Sequence, residues 1–197
     1  MWNEKYAKPG FLFGTKPAQF LHTHQAYFTA GKSALAVADG EGRNSVFMAQ
    51  QGMEVTAFDY APNAIEKAKN LAKENQVKVN FHISDLDSWN WKPNSYDLVV
   101  AVFIQFLSPD ERAKMFANFL NTLKPSGILL LHGYTPNQIE FGTGGPKTRE
   151  NLYTEEMLKT AFANTEILHL NSYEKDIQEG AGHAGISALI DLVACKV

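Results

Sequence analysis

The stretch Val37-Ala-Asp-Gly-Glu-Gly-Arg-Asn44 joins an apolar run to a helix-like run, and it decides the fold. The apolar residues before it predict a strand over 33–39, and the residues after it predict a helix that begins near Arg43. Gly40 and Gly42 allow the backbone to turn sharply and to approach a ligand closely. A strand, a glycine-rich turn and a helix in this order indicate a ligand at the carboxyl end of the strand.

Strand-like and helix-like segments alternate along the whole chain. The predicted strands lie at 33–39, 53–59, 77–84, 96–104, 128–134, 165–173 and 185–197. The predicted helices lie at 43–52, 61–76, 108–127 and about 154–163. Alternation of this kind indicates βαβ units and a parallel sheet, and therefore an α/β fold.

The apolar pattern of these strands predicts their order. The first, fourth and fifth strands are continuously apolar, as expected for strands covered on both faces, whereas the third alternates and is expected at an edge. This pattern favours an open, doubly wound sheet in the order 3-2-1-4-5. The last two strands are joined by a connection too short for a crossover helix, so we expect them to be antiparallel.

The composition excludes several classes of protein. The chain has 197 residues, 45% of them hydrophobic, and a formal charge of −3 with acids and bases interspersed. It has no basic run for nucleic acid and no apolar stretch of the ~18 residues that a membrane span needs. The N-terminus lacks the pattern of a signal peptide, and the single cysteine, Cys195, cannot form an internal disulfide. We expect a soluble cytoplasmic protein of one domain over 1–197, with an N-terminal arm over 1–30 and a core over 31–197.

The acid at the end of the second predicted strand indicates what the turn binds. Asp59 follows the glycine turn by about 20 residues, where a carboxylate accepts hydrogen bonds from both hydroxyls of a ribose. The alternative is that the glycines make a tight turn and that Asp59 caps the next helix. Asp85 ends the third strand, where it can bind the amine of adenine with Leu86 packed on the ring, or simply cap a turn.

The spacing of the glycines separates two kinds of adenosine cofactor. Dinucleotide-binding turns follow the pattern G-x-G-x-x-G, and the third glycine position is Ser45 in this chain. S-adenosylmethionine has no phosphate and does not need that subsite. We therefore expect S-adenosylmethionine and no metal, and an NAD(P)-dependent oxidoreductase is the weaker alternative.

Four stretches of the chain carry a resemblance to a known family. They are MWNEKYAKPGFLFGTKPAQFL (1–21), GEGRNSVFMAQQGMEVTAFDYAPNAIEKA (40–68), LKPSGILLLHGYTP (123–136) and EGAGHAGISALIDLVACK (179–196). In these stretches the chain resembles the class I S-adenosylmethionine-dependent methyltransferases, and among them the bacterial group around the tellurite-resistance and thiopurine methyltransferases. The resemblance implies a Rossmann-like sheet in the order 3-2-1-4-5-7-6 with strand 7 antiparallel.

The resemblance also implies a cofactor site, with one departure. Members of the class usually carry an acid inside the first strand that helps to hold the ammonium group of the methionine moiety, and this chain has Ala36 there. Asp39 either takes over part of this role from the loop or caps the helix that follows. A protein that binds the cofactor without transferring a methyl group is therefore a second alternative. The expected cofactor-binding residues are Asp39, Gly40, Glu41, Gly42, Arg43, Asn44, Asp59, Tyr60, Asp85, Leu86, Val102 and Phe103.

The methyl acceptor is expected at the ends of the fourth and fifth strands, beneath the arm and the late loops. Transfer from a sulfonium is an in-line displacement in which the protein supplies mainly alignment and exclusion of water, so no catalytic triad is required. We expect a small-molecule acceptor such as a thiol or a chalcogen oxyanion. The candidate acceptor-binding residues are Tyr6, Phe13, Gln105 and Arg149.

Two side chains are expected to take part in catalysis. His183 lies between glycines before the last strand, and an imidazole titrates near neutral pH, which suits an acid or a base. Its alternative is a loop histidine in solvent. Tyr134 stands at the end of the fifth strand, whereas His132, inside the apolar run, is more typical of a core histidine. The loop 141–149 is expected to form a mobile flap that closes together with the arm.

Overall fold

A computed structural model describes residues 2–180 and 182–197, and its strands form one seven-stranded sheet. The strands are β1 (Ser33–Val37), β2 (Glu54–Asp59), β3 (Val79–Ile83), β4 (Tyr96–Val102), β5 (Leu123–Tyr134), β6 (Thr165–Gln178) and β7 (Ala184–Lys196). The helices are α1 (Trp2–Tyr6), α2 (Gln19–Thr23), α3 (Arg43–Gln50), α4 (Pro62–Glu74), α5 (Pro109–Thr122), α6 (Gln138–Phe141) and α7 (Glu155–Ala161). The sheet order is β3-β2-β1-β4-β5-β7-β6, and β7 is antiparallel to both of its neighbours. The predicted α/β fold and strand order are confirmed.

The chain divides into two compact units, and each is described by itself. The first unit holds residues 2–90 together with 179 and 180, and the second holds residues 91–178 and 182–197. Within these ranges no helix is both long and apolar enough to cross a membrane. The assignment of residues 1–197 to one domain stays a prediction.

The first unit is built around the turn that follows β1. β1 pairs with β2 and β2 pairs with β3, in both cases in parallel. Val46 of α3 and Leu71 of α4 are buried in one apolar cluster, which packs the two helices together. Because parallel strands run in the same direction, the loop after β1, Asp59 at the end of β2 and the residues after β3 lie along one edge of this part of the sheet.

The second unit combines one parallel pair of strands with a long antiparallel hairpin. β4 and β5 are parallel, β5 and β7 are antiparallel, and β7 forms the hairpin with β6. The predicted helix over 108–127 is too long, because α5 ends at Thr122 and residues 123–127 open β5. The physical reason is that Pro125 cannot donate a helical hydrogen bond, while Leu123 pairs with Tyr96 in the sheet.

Candidate functional site

The turn after β1 adopts a backbone that glycine favours. The φ angles are +46° at Ala38, +61° at Gly40 and +87° at Gly42, all in the left-handed region. Gly42 also packs closely, since a Cβ atom at this position would lie 2.6 Å from Cβ of Ala68 on α4. Ala38 holds the same kind of conformation with a side chain, which costs free energy. The turn is therefore fixed both by its own backbone and by α4 behind it.

The carboxylate of Asp59 is joined directly to this turn. Its Oδ2 accepts a hydrogen bond from the backbone N–H of Gly40 at 3.0 Å, and its Oδ1 accepts one from Ala61 at 2.9 Å. Burial raises the pKa of Asp59 above its usual value, and the backbone hydrogen bonds oppose that rise. An ionised carboxylate has about four acceptor sites, so these two bonds leave capacity for a diol such as that of ribose.

Asp39 lies in the same turn and bonds to α3 through a side chain. Its Oδ2 accepts a hydrogen bond from the hydroxyl of Ser45 at 2.5 Å. Desolvation of its carboxylate, helped by the nearby charge of Asp59, raises the pKa of Asp39 from 3.8 to about 7, and the hydrogen bond from Ser45 opposes this rise. Asp39 does not cap α3, because the N-cap is Gly42 and no side chain bonds to that cap. Ala36, where the class usually has an acid, is fully buried in β1.

Glu41 ties the N-terminal arm to the turn. Its carboxylate is buried and accepts hydrogen bonds from the backbone N–H of Leu12 at 2.7 Å and from the ammonium group of Lys67 at 2.8 Å. The same ammonium group donates to the backbone carbonyls of Lys8 and Gly10. One lysine of α4 therefore binds both the turn and the arm.

Arg43 and Asn44 connect the beginning of α3 to other segments of the first unit. The guanidinium of Arg43 forms a buried ion pair with Glu179 at 2.8 Å and donates to the backbone carbonyl of Phe13. The side chain of Asn44 accepts from the backbone N–H of Ala18 at 3.0 Å. The side chains of these two predicted cofactor-binding residues hold protein segments, so a role toward the cofactor rests on their backbone amides.

Tyr6 of the arm lies against the glycine turn. Its hydroxyl oxygen is 3.0 Å from where a Cβ atom of Gly40 would lie, and its ring packs with Ala61 and Ala64. Burial and the nearby carboxylates, Asp59 foremost among them, raise the pKa of Tyr6 well above its ordinary value. Trp2 and Phe13 complete an aromatic cluster with Tyr6. The arm is therefore packed over the turn.

The other predicted cofactor-binding residues of the first unit are more exposed. Tyr60 is exposed, and its hydroxyl accepts from the backbone N–H of Trp2. Asp85 is exposed and accepts from the backbone N–H of Ser88 at 2.7 Å, a bond that lowers its pKa. Leu86 next to it is half-buried. Asp85 thus caps a turn, and its predicted contact with adenine remains a prediction.

In the second unit, Gln105 fixes the carboxyl end of β5. Its side-chain amide donates to the backbone carbonyl of Tyr134 at 2.8 Å and accepts from the backbone N–H of the same residue at 2.6 Å. Gly133 leaves room for this contact, because a Cβ atom there would lie 2.5 Å from Oε1 of Gln105. The predicted acceptor-binding residue Gln105 is buried and therefore positions Tyr134.

The two predicted catalytic residues are in contact. The hydroxyl oxygen of Tyr134 lies 2.7 Å from Nδ1 of His183, and both residues are buried. The ring of Phe103 packs on both, with centroid distances of 4.6 Å to Tyr134 and 4.2 Å to His183. Phe103 follows the half-buried Val102 at the end of β4 and has a φ of +55°, which is strained for a side chain of this size.

A second histidine, His132, also contacts the ring of Phe103 and pairs with an acid. Nδ1 of His132 is 2.6 Å from Oδ1 of Asp191, and the hydroxyl of Tyr173 donates to the same oxygen at 3.2 Å. His132 is 2% exposed and its ring centroid lies 4.7 Å from that of Phe103. Sequence reasoning missed Asp191 and Tyr173 as partners of His132. An acid inside the apolar strand Ala188-Leu-Ile-Asp-Leu-Val193 was the signal that pointed to a buried partner.

The loop after α6 packs against Tyr134. A Cβ atom at Gly145 would lie 2.7 Å from the ring of Tyr134, and one at Gly144 would lie 3.0 Å from its hydroxyl. Thr143 anchors the loop by donating to the backbone carbonyl of Ile186. Arg149, a predicted acceptor-binding residue, is exposed at the end of this loop. The glycines therefore let the loop lie directly on Tyr134.

Comparison with known proteins finds similarity to methyltransferases. Residues 34–127 match the family described as "Methyltransferase domain". A ubiquinone biosynthesis O-methyltransferase of Coxiella burnetii is 27% identical over 113 residues, which are 57% of this chain and 48% of that relative. The chain thus spans about half the length of this curated relative.

Solved structures agree on the fold. A SAM-dependent methyltransferase from Methanosarcina mazei matches 89% of this chain and 97% of its own, with a TM-score of 0.73 and 20% identity. TehB from Haemophilus influenzae matches 100% of this chain and 66% of its own, with a TM-score of 0.72 and 17% identity. Identities this low show the fold alone.

Residues 34–127 therefore match a methyltransferase domain, and the fold of the chain is that of solved S-adenosylmethionine-dependent methyltransferases. Within that class, TehB is a structural neighbour of the whole chain. The resemblance seen in the sequence is therefore confirmed for the class. The roles of the individual site residues stay predictions.

Proposed function

We propose that this protein transfers a methyl group from S-adenosylmethionine to a small-molecule acceptor, such as a thiol or a chalcogen oxyanion. The observation that carries the proposal is the hydrogen bond from the Gly40 amide to the Asp59 carboxylate. This bond holds a carboxylate, which can accept hydrogen bonds from a ribose, beside a glycine turn. Bound S-adenosylmethionine supplies an activated methyl group on a sulfonium. The protein therefore needs mainly to align the acceptor with this methyl group and to exclude water from the site. The proposal includes the cytoplasmic location that the sequence predicts.

The residues of the first unit fit the cofactor. Asp59 has acceptor capacity for ribose hydroxyls, and Gly40 and Gly42 keep the turn beside it tight. Asp39 is partly accessible in the same turn. Its negative charge can attract the ammonium group of the cofactor, a role that the class usually gives to an acid at the position of Ala36. The arm residues Tyr6 and Phe13 cover the turn and exclude water from it.

The residues of the second unit fit an acceptor. Tyr134 and His183 offer a hydroxyl and an imidazole that can orient a polar group, and Phe103 supplies an apolar wall. The loop that carries Gly144 and Gly145 covers this pair, so the acceptor enters when the loop lifts. Arg149, on the exposed end of that loop, is the cation that we assign to an anionic acceptor.

The test is a panel of acceptors with cofactor labelled in its methyl group. Thiophenol, phenol, selenite, tellurite and a simple carboxylate are each incubated with the protein, and transfer of label is measured. We expect transfer to at least one of them, and His183→Ala should lower the rate for every acceptor that is turned over, because it removes an orienting contact. Calorimetry checks that the variant still binds S-adenosylmethionine.

Two results would overturn the proposal. Binding of S-adenosylmethionine with no transfer to any acceptor indicates a protein that binds the cofactor without catalysis. Binding of NAD(P)H in place of S-adenosylmethionine indicates an oxidoreductase. The exposed residue His82 on β3 provides a matched control, since His82→Gln should leave every rate unchanged.

A further inference from the structure

Lys67 of α4 joins the N-terminal arm to the glycine turn through a single ammonium group. Its Nζ donates to the backbone carbonyl of Lys8 at 2.8 Å, to that of Gly10, and to Oε1 of Glu41 at 2.8 Å. An ammonium group has three protons, so these contacts use its whole donor capacity. Two of the three bonds go to the arm and one goes to the turn.

The carboxylate of Glu41 completes this connection from the side of the turn. Its Oε1 accepts from Lys67, and its Oε2 accepts from the backbone N–H of Leu12 in the arm at 2.7 Å. The side chain of Glu41 is 3% exposed, and a carboxylate so deeply buried is costly unless donors surround it. We call these two side chains, with the carbonyls of Lys8 and Gly10 and the amide of Leu12, the clasp.

The arm that the clasp holds lies directly on the turn. The hydroxyl oxygen of Tyr6 is 3.0 Å from where a Cβ atom of Gly40 would lie, and its ring shares a buried cluster with Ala61. Phe13 packs against the same cluster from the other side of the clasp in sequence. The clasp therefore fixes the arm between two aromatic residues that cover the turn.

Two glycines give the arm backbone the freedom to change its path at the clasp. Gly10 has a φ of +77° and Gly14 a φ of +71°, both in the left-handed region that favours glycine. A Cβ atom at Gly10 would meet nothing within 4 Å, so packing does not restrain this position. Residues of this kind absorb the backbone rotation when a lid moves.

We propose that the clasp controls the exchange of the cofactor. While it is closed, the arm retains S-adenosylmethionine or its demethylated product against the turn, and the arm lifts when Lys67 releases the two carbonyls. This inference rests on the proposed function and adds to it a step that precedes and follows methyl transfer. Glu41 and Lys67 act as positioning residues, because they work through the arm, and the side chain of Glu41 serves the arm in place of the cofactor.

A cover of this kind affects rates more than affinity. The closed arm obstructs the cofactor both as it enters and as it leaves, so a weaker clasp should raise the association and dissociation rate constants together. The dissociation constant is their ratio and should change little. A residue that simply contacts the cofactor would instead lower affinity through faster dissociation alone.

The experiment measures the exchange of S-adenosylhomocysteine. Displacement of labelled S-adenosylhomocysteine by an excess of unlabelled compound gives the dissociation rate constant, and calorimetry gives the dissociation constant. Lys67→Met keeps the length of the side chain and removes its three donors. It should speed dissociation at least about tenfold, the change expected from losing one charge-assisted hydrogen bond, and should alter the dissociation constant less than about threefold. Lys69→Met is the matched control, since Lys69 is exposed on the same helix, and it should behave as the wild type.

Hydrogen exchange reports on the arm itself, without the cofactor. The amide of Leu12 is bonded to Glu41, so it should exchange faster in Lys67→Met than in wild type or Lys69→Met. Glu41→Gln keeps the shape of the side chain and leaves the bonds from Lys67 to the two carbonyls in place. It should give a smaller acceleration of both processes, and it keeps the test informative if Lys67→Met does not fold. Circular dichroism checks the fold of each variant.

The outcomes separate this inference from the proposed function. Equal dissociation rates in wild type and both clasp variants would overturn the inference and leave the proposed function intact. Faster hydrogen exchange in the arm with unchanged dissociation of S-adenosylhomocysteine would overturn it as well, because the clasp would then hold the arm without retaining the cofactor. A lower affinity with an unchanged association rate constant would also overturn it. A wild-type protein that binds neither S-adenosylmethionine nor S-adenosylhomocysteine would overturn the proposed function itself.

Discussion

The turn after β1 and the carboxyl end of β5 use their polar side chains in different ways. In the first unit, Asp59 and Glu41 accept hydrogen bonds from backbone amides and thereby hold a backbone shape. In the second unit, His183 and His132 pair with the side chains of Tyr134 and Asp191. Carboxylates held by the backbone suit binding, whereas imidazoles held by side chains suit movement of a proton. Under the proposed function, binding of the cofactor therefore belongs to the first unit and chemistry on the acceptor to the second.

Deletion of the N-terminal arm should have the largest effect, and it should separate methyl transfer from cofactor binding. Without residues 1–13, the turn keeps Asp59 but loses the cover that Tyr6 and Phe13 provide. We expect methyl transfer to fall by more than ~100-fold, because misalignment and access of water act on the reaction, while affinity for S-adenosylmethionine changes less than about tenfold. The measurement compares turnover of labelled cofactor with calorimetric binding. Normal turnover in the truncated protein would mean that the arm is only packing.

Substitution of Asp59 tests whether the first unit binds the ribose of the cofactor. Asp59→Ala should weaken S-adenosylmethionine by about 1.5–3 kcal/mol, or ~10–150-fold, because charge-assisted hydrogen bonds to the ribose are lost. Glu66→Ala is the control, since its carboxylate is exposed on α4 and has no predicted role in the site. Calorimetry that finds equal affinity for wild type and Asp59→Ala would contradict the ribose assignment.

Asp39 should give the smallest effect, and one that depends on pH. If its ionised form attracts the ammonium group of the cofactor, a pKa of about 7 makes affinity rise about tenfold between pH 6 and pH 8. Asp39→Asn should remove this rise. Adenosine, which lacks the ammonium group, should bind equally at both pH values, and a matching slope for adenosine would return Asp39 to a purely structural role.

The same group predicts the sign of a change in stability. The pKa of Asp39 is raised from 3.8 to about 7, so the folded protein holds this proton more tightly than the unfolded chain does. Its contribution to the free energy of unfolding is fully present below about pH 4 and is lost as the pH rises toward 7. Chemical denaturation of wild type and Asp39→Asn at pH 5 and pH 8 measures this difference.

Much of the fold follows from short-range patterns in the sequence. Continuous apolar strands and the alternating third strand predicted the order 3-2-1-4-5, and the short connection before β7 predicted an antiparallel last pair; both are confirmed. The places of β7 and β6 in the sheet came from the family resemblance. The end of α5 was placed too late, since pairing of Leu123 with Tyr96 across the sheet overrides the helical pattern. Local patterns predict which elements exist, whereas their boundaries depend on contacts between elements.

The sequence by itself predicted the glycine turn after β1 and its proximity to Asp59. The turn depends only on neighbouring residues, and Asp59 ends the strand that follows next along the chain. Its four stretches of resemblance also indicated a methyltransferase, in agreement with the domain matched by residues 34–127. Only the tertiary structure decided that Glu41 binds the arm, that Tyr134 contacts His183 and that His132 pairs with Asp191. These partners are 29, 49 and 59 residues apart, so no local pattern links them; folding brings them together because buried polar groups must find partners.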